Sequence, residues 1–340
     1  MRFHELEGDQ RRQLINAQQA FTVWREADRE FRHSYRGSMR WKKINGAEYL
    51  YRVYARMESS LGRRSSETEQ IKAAYMEQRA RLRQRTTTLR QRLDRMALVN
   101  RAQGIGRVPN LAAKIIRKLD EAQLLGVKAF VVGTHALYAY ECRAGIQFDS
   151  VLTATDDLDL LWDAKRKLTF ALFDERADGV IGLLRQIDRS FDARSGHFRA
   201  QNDDGFMVDF IRPERRNEMY KADPPLTGAD AMAPAAIAGL QWLMSAPKFE
   251  QIAIGEDGQP LWMCCVDPRV FALHKFWVSK RDDREPVKKR RDAEQARAVA
   301  TVASEYLSMD FQAKDLSVLP IDLTRAAKDL VANVRRNRSG

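Results

Sequence analysis

Three aspartates stand in apolar segments of this chain, where a carboxylate needs a compensating partner. Asp157 and Asp159 belong to the segment TDDLDLLW, and Asp209 belongs to MVDFI, fifty positions after Asp159. Side chains alternate along an extended strand, so Asp157 and Asp159 are predicted to share one face while Asp156 points to the other. A hard divalent cation such as Mg²⁺ can compensate buried carboxylates, and it also binds substrate phosphates. These residues therefore predict a metal site built on two strands.

A second feature suited to chemistry is the turn at Gly133 and Thr134, which follows the apolar run AFVV. The run predicts a buried strand, and the glycine predicts a turn into a helix. Phosphate oxygens are well held at such a turn by the unpaired N–H groups of the first helical turn, by the helix dipole, and by a glycine that lets the backbone come close. Gly133 and Thr134 are therefore candidate phosphate-binding residues.

The order of these segments resembles the nucleotidyltransferase superfamily of the DNA polymerase beta type. That superfamily has three motifs in a fixed order: a Gly-Thr turn, an Asp-x-Asp-Leu strand, and a lone aspartate on a later strand. The matching residues in this chain are Gly133-Thr134, Asp157-Leu-Asp159 and Asp209. The segment GTHALYAYE is similar to one in bacterial nucleotidyltransferase-fold proteins related to the minimal and abortive-infection-type members. The resemblance covers the middle and C-terminal parts of the chain.

This resemblance implies an α+β nucleotidyltransferase fold, with a mixed sheet flanked by helices, and a site that binds two Mg²⁺ or Mn²⁺ ions. Asp157, Asp159 and Asp209 would be the catalytic residues and the metal ligands. Gly133 and Thr134 would seat the β- and γ-phosphates of an NTP such as ATP.

The resemblance also assigns a lysine to the triphosphate. The segment DPRVFALHKFWVSKR predicts a helix with Pro268 in its first turn, and in the resembling family a helix of this kind presents a lysine to the nucleotide. Lys275 is the best match, with Lys280 and Arg281 as alternatives. His135, next to the phosphate turn, is more typical of a local hydrogen-bonding residue than of a catalytic base.

The activity implied is metal-dependent transfer of a nucleoside monophosphate from an NTP to an acceptor hydroxyl. Three function classes stay open. The first is an enzyme that acts on nucleic acid, with an RNA 3′ end as acceptor. The second nucleotidylates a protein or a small molecule, as toxin-type or antibiotic-modifying members do. The third is a catalytically idle fold that binds nucleic acid, and three carboxylates kept in apolar strands argue against it.

Charge is unevenly distributed along the 340 residues. Residues 1–120 contain 27 Lys and Arg against 13 Asp and Glu, whereas residues 121–340 contain 31 against 33. The resulting charge of +14 in the first third favours a region that meets a polyanion such as RNA, although the same charge can simply keep a helical region soluble. No run approaches the roughly eighteen apolar residues of a membrane helix. This predicts a cytoplasmic protein with no membrane partner, whose three cysteines are reduced.

Three regions are predicted along the chain. Residues 1–106 form a basic N-terminal helical and β-hairpin region, and residues 107–225 form the nucleotidyltransferase catalytic domain. Residues 226–340 form a mostly helical C-terminal domain that completes the nucleotide site.

The basic region contains a predicted hairpin, because Asn45-Gly46 lies between two alternating runs. Trp41, Tyr49 and Tyr51 alternate there with basic residues. Aromatic and cationic side chains on a hairpin can stack bases and neutralise phosphates, or they can form ordinary cross-strand pairs.

Apolar periodicity predicts several other elements. A helix is predicted from Asp9 to Ser34, an arginine-rich helix after Ser66, and a buried helix from Ala233 to Met244. Two further strands, near His197–Ala200 and Phe206–Ile211, are predicted to form a hairpin that carries Asp209.

Overall fold

A computed structural model of the chain describes residues 2–54, 57–163, 179–193, 198–214, 235–237, 239–311, 314–317, 319–321, 323–325 and 330. In chain order the first elements are β1 (Phe3–Glu5), α1 (Gly8–Ser34), β2 (Ser38–Ile44), β3 (Ala47–Tyr54), β4 (Met57–Arg63), α2 (Ser66–Ala102), α3 (Asn110–Glu121), β5 (Ala129–Val131), α4 (Ala136–Ala144), β6 (Ile146–Phe148), α5 (Ser150–Thr153) and β7 (Asp157–Trp162). They are followed by α6 (Gly179–Arg185), β8 (Arg199–Gln201), β9 (Met207–Pro213), β10 (Ala235–Ile237), α7 (Leu240–Ser245), β11 (Lys248–Ile254), β12 (Pro260–Val266), α8 (Pro268–Ser279) and α9 (Pro286–Glu305).

The chain forms two compact units. The N-terminal unit consists of Arg12–Gly104 with Gly258–Pro260, and the sheet unit consists of Met1–Arg11, Ile105–Asp257 and Leu261–Gly340. The predicted division at residue 225 stays a prediction, since that position lies outside the described residues.

The N-terminal unit contains the long helix α2 and the antiparallel sheet β2–β3–β4. Asn45 and Gly46 have φ angles of 47° and 78°, the positive values that a tight hairpin turn of the primed type requires, so the predicted hairpin is confirmed. α2 starts with a capping box in which Ser65 and Thr68 bond each other's backbone N–H. Helix α1 covers the predicted span from Asp9 to Ser34.

The aromatic residues of the hairpin lie on opposite faces of this sheet. Trp41 pairs with buried Leu50, and its ring lies 5.1 Å and 5.5 Å from the cationic groups of Arg64 and Lys72. Trp41 is therefore in contact with two cations of its own unit, and the stacking role considered for it stays a prediction. The opposite face carries the pair Lys42–Tyr49.

The sheet unit is built on a mixed sheet with strand order β10-β9-β7-β5-β12-β11, and β8 pairs with β9. β7 is antiparallel to β5 and parallel to β9, while β12 is parallel to β5. Helices α8 and α9 pack against each other, and α4 packs against β11 and β6. The α+β class with a mixed sheet and flanking helices is thus confirmed.

One predicted helix is wrong in its first part. Ala235–Ile237 is a strand parallel to β9, and the helix begins only at Leu240, after Gly239 with a φ angle of 85°. β8 pairs with the first half of β9, which leaves the second half to bind the backbone N–H and C=O groups of β10. The apolar sequence alone did not distinguish a short strand from a helix.

Two remaining expectations concern membranes and cysteines. Among the described residues, no helix combines the length and apolar character that crossing a bilayer requires. Cys142, Cys264 and Cys265 are thiols rather than disulfides, and the last two are buried, as expected for reduced core residues.

Candidate active site

The three aspartates meet on one face of the central sheet. β7 and β9 are parallel neighbours, and Asp159 is the register partner of Asp209, so both side chains point to the same side at the same height. Leu158 and Leu160 alternate with the acids and are completely buried. Asp157 lies two residues before Asp159 on this same face and is partly exposed. The alternation inferred from the sequence is therefore observed.

The turn at Gly133 lies directly against Asp159. Gly133 has a φ angle of +63°, and a Cβ at this position would approach Asp159 Oδ2 to 2.1 Å. The Val132 N–H also donates to the Asp159 carbonyl at 3.1 Å. Only glycine is compatible with this conformation and this contact. The predicted phosphate turn and the predicted metal ligand are thus neighbours.

Electrostatics at Asp159 show an excess of negative charge. Burial raises the pKa of Asp159, the charges of Asp157 and Asp209 add to this effect, and the net pKa is about 7. Lys275 and Arg199 act in the opposite direction without restoring the ordinary value. Such a carboxylate cluster is stabilised when a cation approaches it.

Asp209 is held by an arginine from β8. Arg199 is its direct cross-strand partner, and the guanidinium Nε and Nη2 each lie 2.7 Å from one carboxylate oxygen. In the part of the chain that the structure describes, no group of three His, Cys, Asp or Glu side chains is arranged to hold a metal ion. Asp157 and Asp159 nevertheless offer the carboxylate oxygens and the charge that a divalent cation prefers. The oxygens of Asp209 accept hydrogen bonds from Arg199.

Thr134 is positioned by helix α9. Gln295 Nε2 donates to the Leu152 carbonyl at 2.7 Å and to Thr134 Oγ1 at 3.3 Å, and both Gln295 and Thr134 are buried. The Thr134 hydroxyl is therefore engaged with the protein interior. His135 is fully buried, and desolvation lowers its pKa to about 4, so its imidazole is neutral and weakly basic at pH 7. A weakly basic imidazole is poorly suited to act as a catalytic base. Both ring nitrogens of His135 are buried without a hydrogen-bond partner among the described residues, so the expected hydrogen-bonding role is not observed.

Lys275 and Arg284 share one buried acid. Lys275 Nζ lies 2.7 Å from Asp292 Oδ1, and Arg284 Nε lies 2.8 Å from Asp292 Oδ2. Burial alone would raise the pKa of Asp292, but the charges and hydrogen bonds of Lys275 and Arg284 lower it below its usual range. Asp292 thus stays ionised, and it joins α9 to α8 through Lys275 and to the segment between the two helices through Arg284.

A cavity of about 340 Å³ joins these features. Its polar lining includes Gly133, Asp159, Lys275 and Arg284, and its apolar lining includes Ile211, Leu240, Leu243 and Trp277. A concave site with an apolar side and convergent charged groups is typical of a small-molecule pocket.

Lys280 and Arg281, the alternatives to Lys275 for binding the triphosphate, differ in position. Arg281 lines the cavity, but it forms a two-point ion pair with Asp283 and lies 4.8 Å from the Trp277 ring centre. Lys280 is exposed. Lys275 is therefore the predicted lysine that faces the cavity beside Asp159.

Four residues of this site were not predicted from the sequence, namely Arg199, Arg284, Asp292 and Gln295. A signal existed for Arg199, because a hairpin register places it opposite Asp209. Asp292 and Gln295 are three positions apart on α9 and share a helix face, but nothing local shows what that face contacts.

Comparisons with known proteins bear on the sheet unit. A family model described as Nucleotidyltransferase matches residues 110–320, which is more than half of the chain. Among curated proteins, none matches. The crystal structure of an antigenic nucleotidyltransferase-like protein from Paracoccidioides brasiliensis is similar at 15% identity with a TM-score of 0.29, covering 67% of this chain and 94% of that one. A score this low does not establish a shared arrangement of the site.

The matched residues include the glycine turn, both aspartate strands and the lysine helix. They also include Asp292 and Gln295, which position Lys275 and Thr134. The chain therefore belongs to the nucleotidyltransferase family.

Proposed function

We propose that this protein is a metal-dependent nucleotidyltransferase that moves a nucleoside monophosphate from an NTP to an acceptor hydroxyl. The observation that carries the proposal is the register pairing of Asp159 with Asp209 beside Gly133. It brings carboxylates from two strands next to a turn that only glycine can form. Family membership supports the transferase class.

Asp157, Asp159 and Asp209 are the proposed ligands of Mg²⁺ or Mn²⁺. A divalent cation bound there would neutralise the triphosphate and favour the deprotonated acceptor hydroxyl. The strands fix the carboxylates before substrate arrives, so little reorganisation is needed in the transition state. The acceptor oxygen forms its bond to the α-phosphorus as the bond to pyrophosphate breaks.

The cavity is the proposed NTP site. The backbone at Gly133 and Thr134 would receive the β- and γ-phosphates, as N–H groups at the start of a helix do. Lys275 and Arg284 add positive charge, and their shared partner Asp292 holds them in place before the nucleotide binds. The apolar lining around Trp277 offers a surface for the base or sugar.

The proposed acceptor is RNA, and the N-terminal unit supports this choice. Residues 12–104 contain 21 Lys and Arg against 9 Asp and Glu, a net charge of +12 that equals the charge of the whole chain. On α2, Arg81, Arg85 and Arg92 are exposed and make no ion pair among the described residues. Their spacing places them on one helix face. Free guanidinium groups in a row suit a phosphate backbone.

The sheet of the N-terminal unit adds a second surface of the same kind. Arg40 pairs with Tyr51, and Lys42 pairs with Tyr49, on the face opposite to Leu50. Glu58 binds both cations and reduces their net charge. This face therefore contributes less electrostatic attraction than α2, and its tyrosines are the candidates for base stacking.

The test is incubation of the purified protein with each labelled NTP, Mg²⁺ and either total RNA or a protein and metabolite extract. We expect label in RNA, and none with Asp159→Asn. Label in protein or small molecules would replace RNA as the acceptor. Absence of label in every fraction with the wild-type protein would refute the proposed activity.

A further inference from the structure

Arg199 and Asp209 form the best-defined ion pair within the acid cluster. The two residues lie directly opposite each other on antiparallel strands. Arg199 Nε donates to Asp209 Oδ1 and Nη2 donates to Oδ2, each at 2.7 Å. Asp209 thereby has each of its oxygens engaged. The oxygens that a cation would use at Asp209 are those that Arg199 holds.

The two members of this pair differ in solvent exposure. The Asp209 side chain is 8% exposed, whereas the Arg199 side chain is 40% exposed. Removing a partner from a buried carboxylate is costly, but a guanidinium that is already half in water loses little by moving out. The pair can therefore open on the arginine side if another cation takes its place at Asp209.

The position of Arg199 in the fold permits such a movement. It is the first residue of β8, a strand of only three residues. Its backbone partner β9 is anchored on the other side by β7, so Asp209 stays in place while the side chain of Arg199 rotates.

Charge favours the exchange. Asp157 and Asp159 also attract Arg199, so its single positive charge interacts with three carboxylates, while Lys275 acts on Asp159 from α8. A divalent cation in the same place would offset two of the three charges. Replacing Arg199 by the cation therefore lowers the repulsion within the cluster.

We propose that Arg199 binds the Asp209 carboxylate in the metal-free protein. A divalent cation must then displace Arg199 before Asp157, Asp159 and Asp209 can all bind that cation. The inference rests on the proposed metal site. Arg199 then acts through Asp209 as a positioning residue: it keeps the buried acid in place and sets the metal concentration at which the site forms.

The experiment is calorimetric titration with Mn²⁺ without nucleotide, on the full chain, for wild type, Arg199→Ala and the double variant Arg199→Ala/Asp209→Asn. We expect Arg199→Ala to bind Mn²⁺ about tenfold more tightly, the size of one hydrogen bond to a charged group that the cation no longer has to break. The double variant should lose this gain. Arg185→Ala is the matched control, because Arg185 pairs with Asp192 and is equally exposed at 40%.

A second readout separates this role from simple stabilisation. Without metal, Arg199→Ala should melt at a lower temperature than wild type, because Asp209 is left buried and unpaired. Addition of Mn²⁺ should raise the melting temperature of Arg199→Ala more than it raises that of wild type. Equal or weaker Mn²⁺ affinity in Arg199→Ala would overturn the proposal. If Arg199→Ala showed no gain but Asp159→Asn abolished Mn²⁺ binding, the proposed metal site would stand without a role for Arg199. If neither wild type nor Arg199→Ala bound Mn²⁺, the role of Arg199 and the metal site would both be refuted.

Discussion

The carboxylate of Asp159 occupies the space in which residue 133 would carry a Cβ. An added methyl group at Gly133 would come within 2.1 Å of Asp159 Oδ2, and the φ angle of +63° is also unfavourable for other residues. The turn and the acid are therefore coupled, so a change in one displaces the other.

Gly133→Ala should lose stability for two reasons that a control can separate. Gly104 has a φ angle of +66° and open space around it, so Gly104→Ala reports backbone strain alone, about 1–2 kcal/mol. Overpacking against Asp159 should cost Gly133→Ala about 1–3 kcal/mol more. Urea unfolding measures both values. Equal losses in the two variants would show that the contact with Asp159 is easily relieved.

Asp156 and Asp157 should differ sharply despite being neighbours. Asp156 is exposed and precedes β7, whereas Asp157 is on the face shared with Asp159. Asp157→Asn should reduce transfer by about 100-fold or more, the size of losing a preorganised electrostatic group. Asp156→Asn should retain most of the activity. Equal loss in initial-rate assays would mean that the wrong pair of acids has been assigned to the metal.

Lys275→Ala should weaken NTP binding by about ten- to a hundredfold, as expected for a lost hydrogen bond to a charged group. Asp292 keeps Arg284 as a partner, so the variant should still fold. Lys280→Ala is the control, since Lys280 is an exposed lysine one residue beyond α8. Nucleotide calorimetry would contradict the assignment if Lys280→Ala were the weaker binder.

The raised pKa of Asp159 predicts a pH effect on stability. Its pKa is about 7 in the folded chain against 3.8 as the ordinary value, so the folded state holds a proton that the unfolded state has lost. This contribution is complete below about pH 4 and is lost as the pH rises through 7. In EDTA, wild type should lose more stability than Asp159→Asn between pH 5 and pH 8. Saturating Mg²⁺ should remove the difference, and an unchanged difference would argue against cation binding at Asp159.

Binding to RNA should depend steeply on salt if α2 holds phosphates. Replacing Arg81, Arg85 and Arg92 by Gln should flatten the log–log salt dependence by about two to three units, at roughly 0.7 to 0.9 per lost contact. The same positions changed to Lys keep the charge and should keep most of the slope. Fluorescence anisotropy with labelled RNA measures both. A wild-type affinity that does not vary with salt would exclude this surface as the RNA site and favour another acceptor.

Local rules explain which elements were predictable. Alternation along TDDLDLLW determined which acids share a face, and Asn45-Gly46 determined a hairpin, because both depend only on neighbouring residues. Family resemblance through the ordered motifs pointed to the correct reaction class. The helix predicted over Ala233–Met244 is present from Leu240 but wrong at residues 235–237, because an available strand edge, and not local preference, decided their conformation.

Only the tertiary structure decided the partners of the site residues. Asp292 on α9 forms an ion pair with Lys275 on α8, and Gln295 donates a hydrogen bond to Thr134. Arg199 forms an ion pair with Asp209. These contacts depend on how α9 packs against α8 and the sheet and on the register between strands, which long-range burial of apolar surface sets. A sequence can therefore show which acids and cations are available for chemistry, whereas packing determines which of them are paired with each other and which remain available to a ligand.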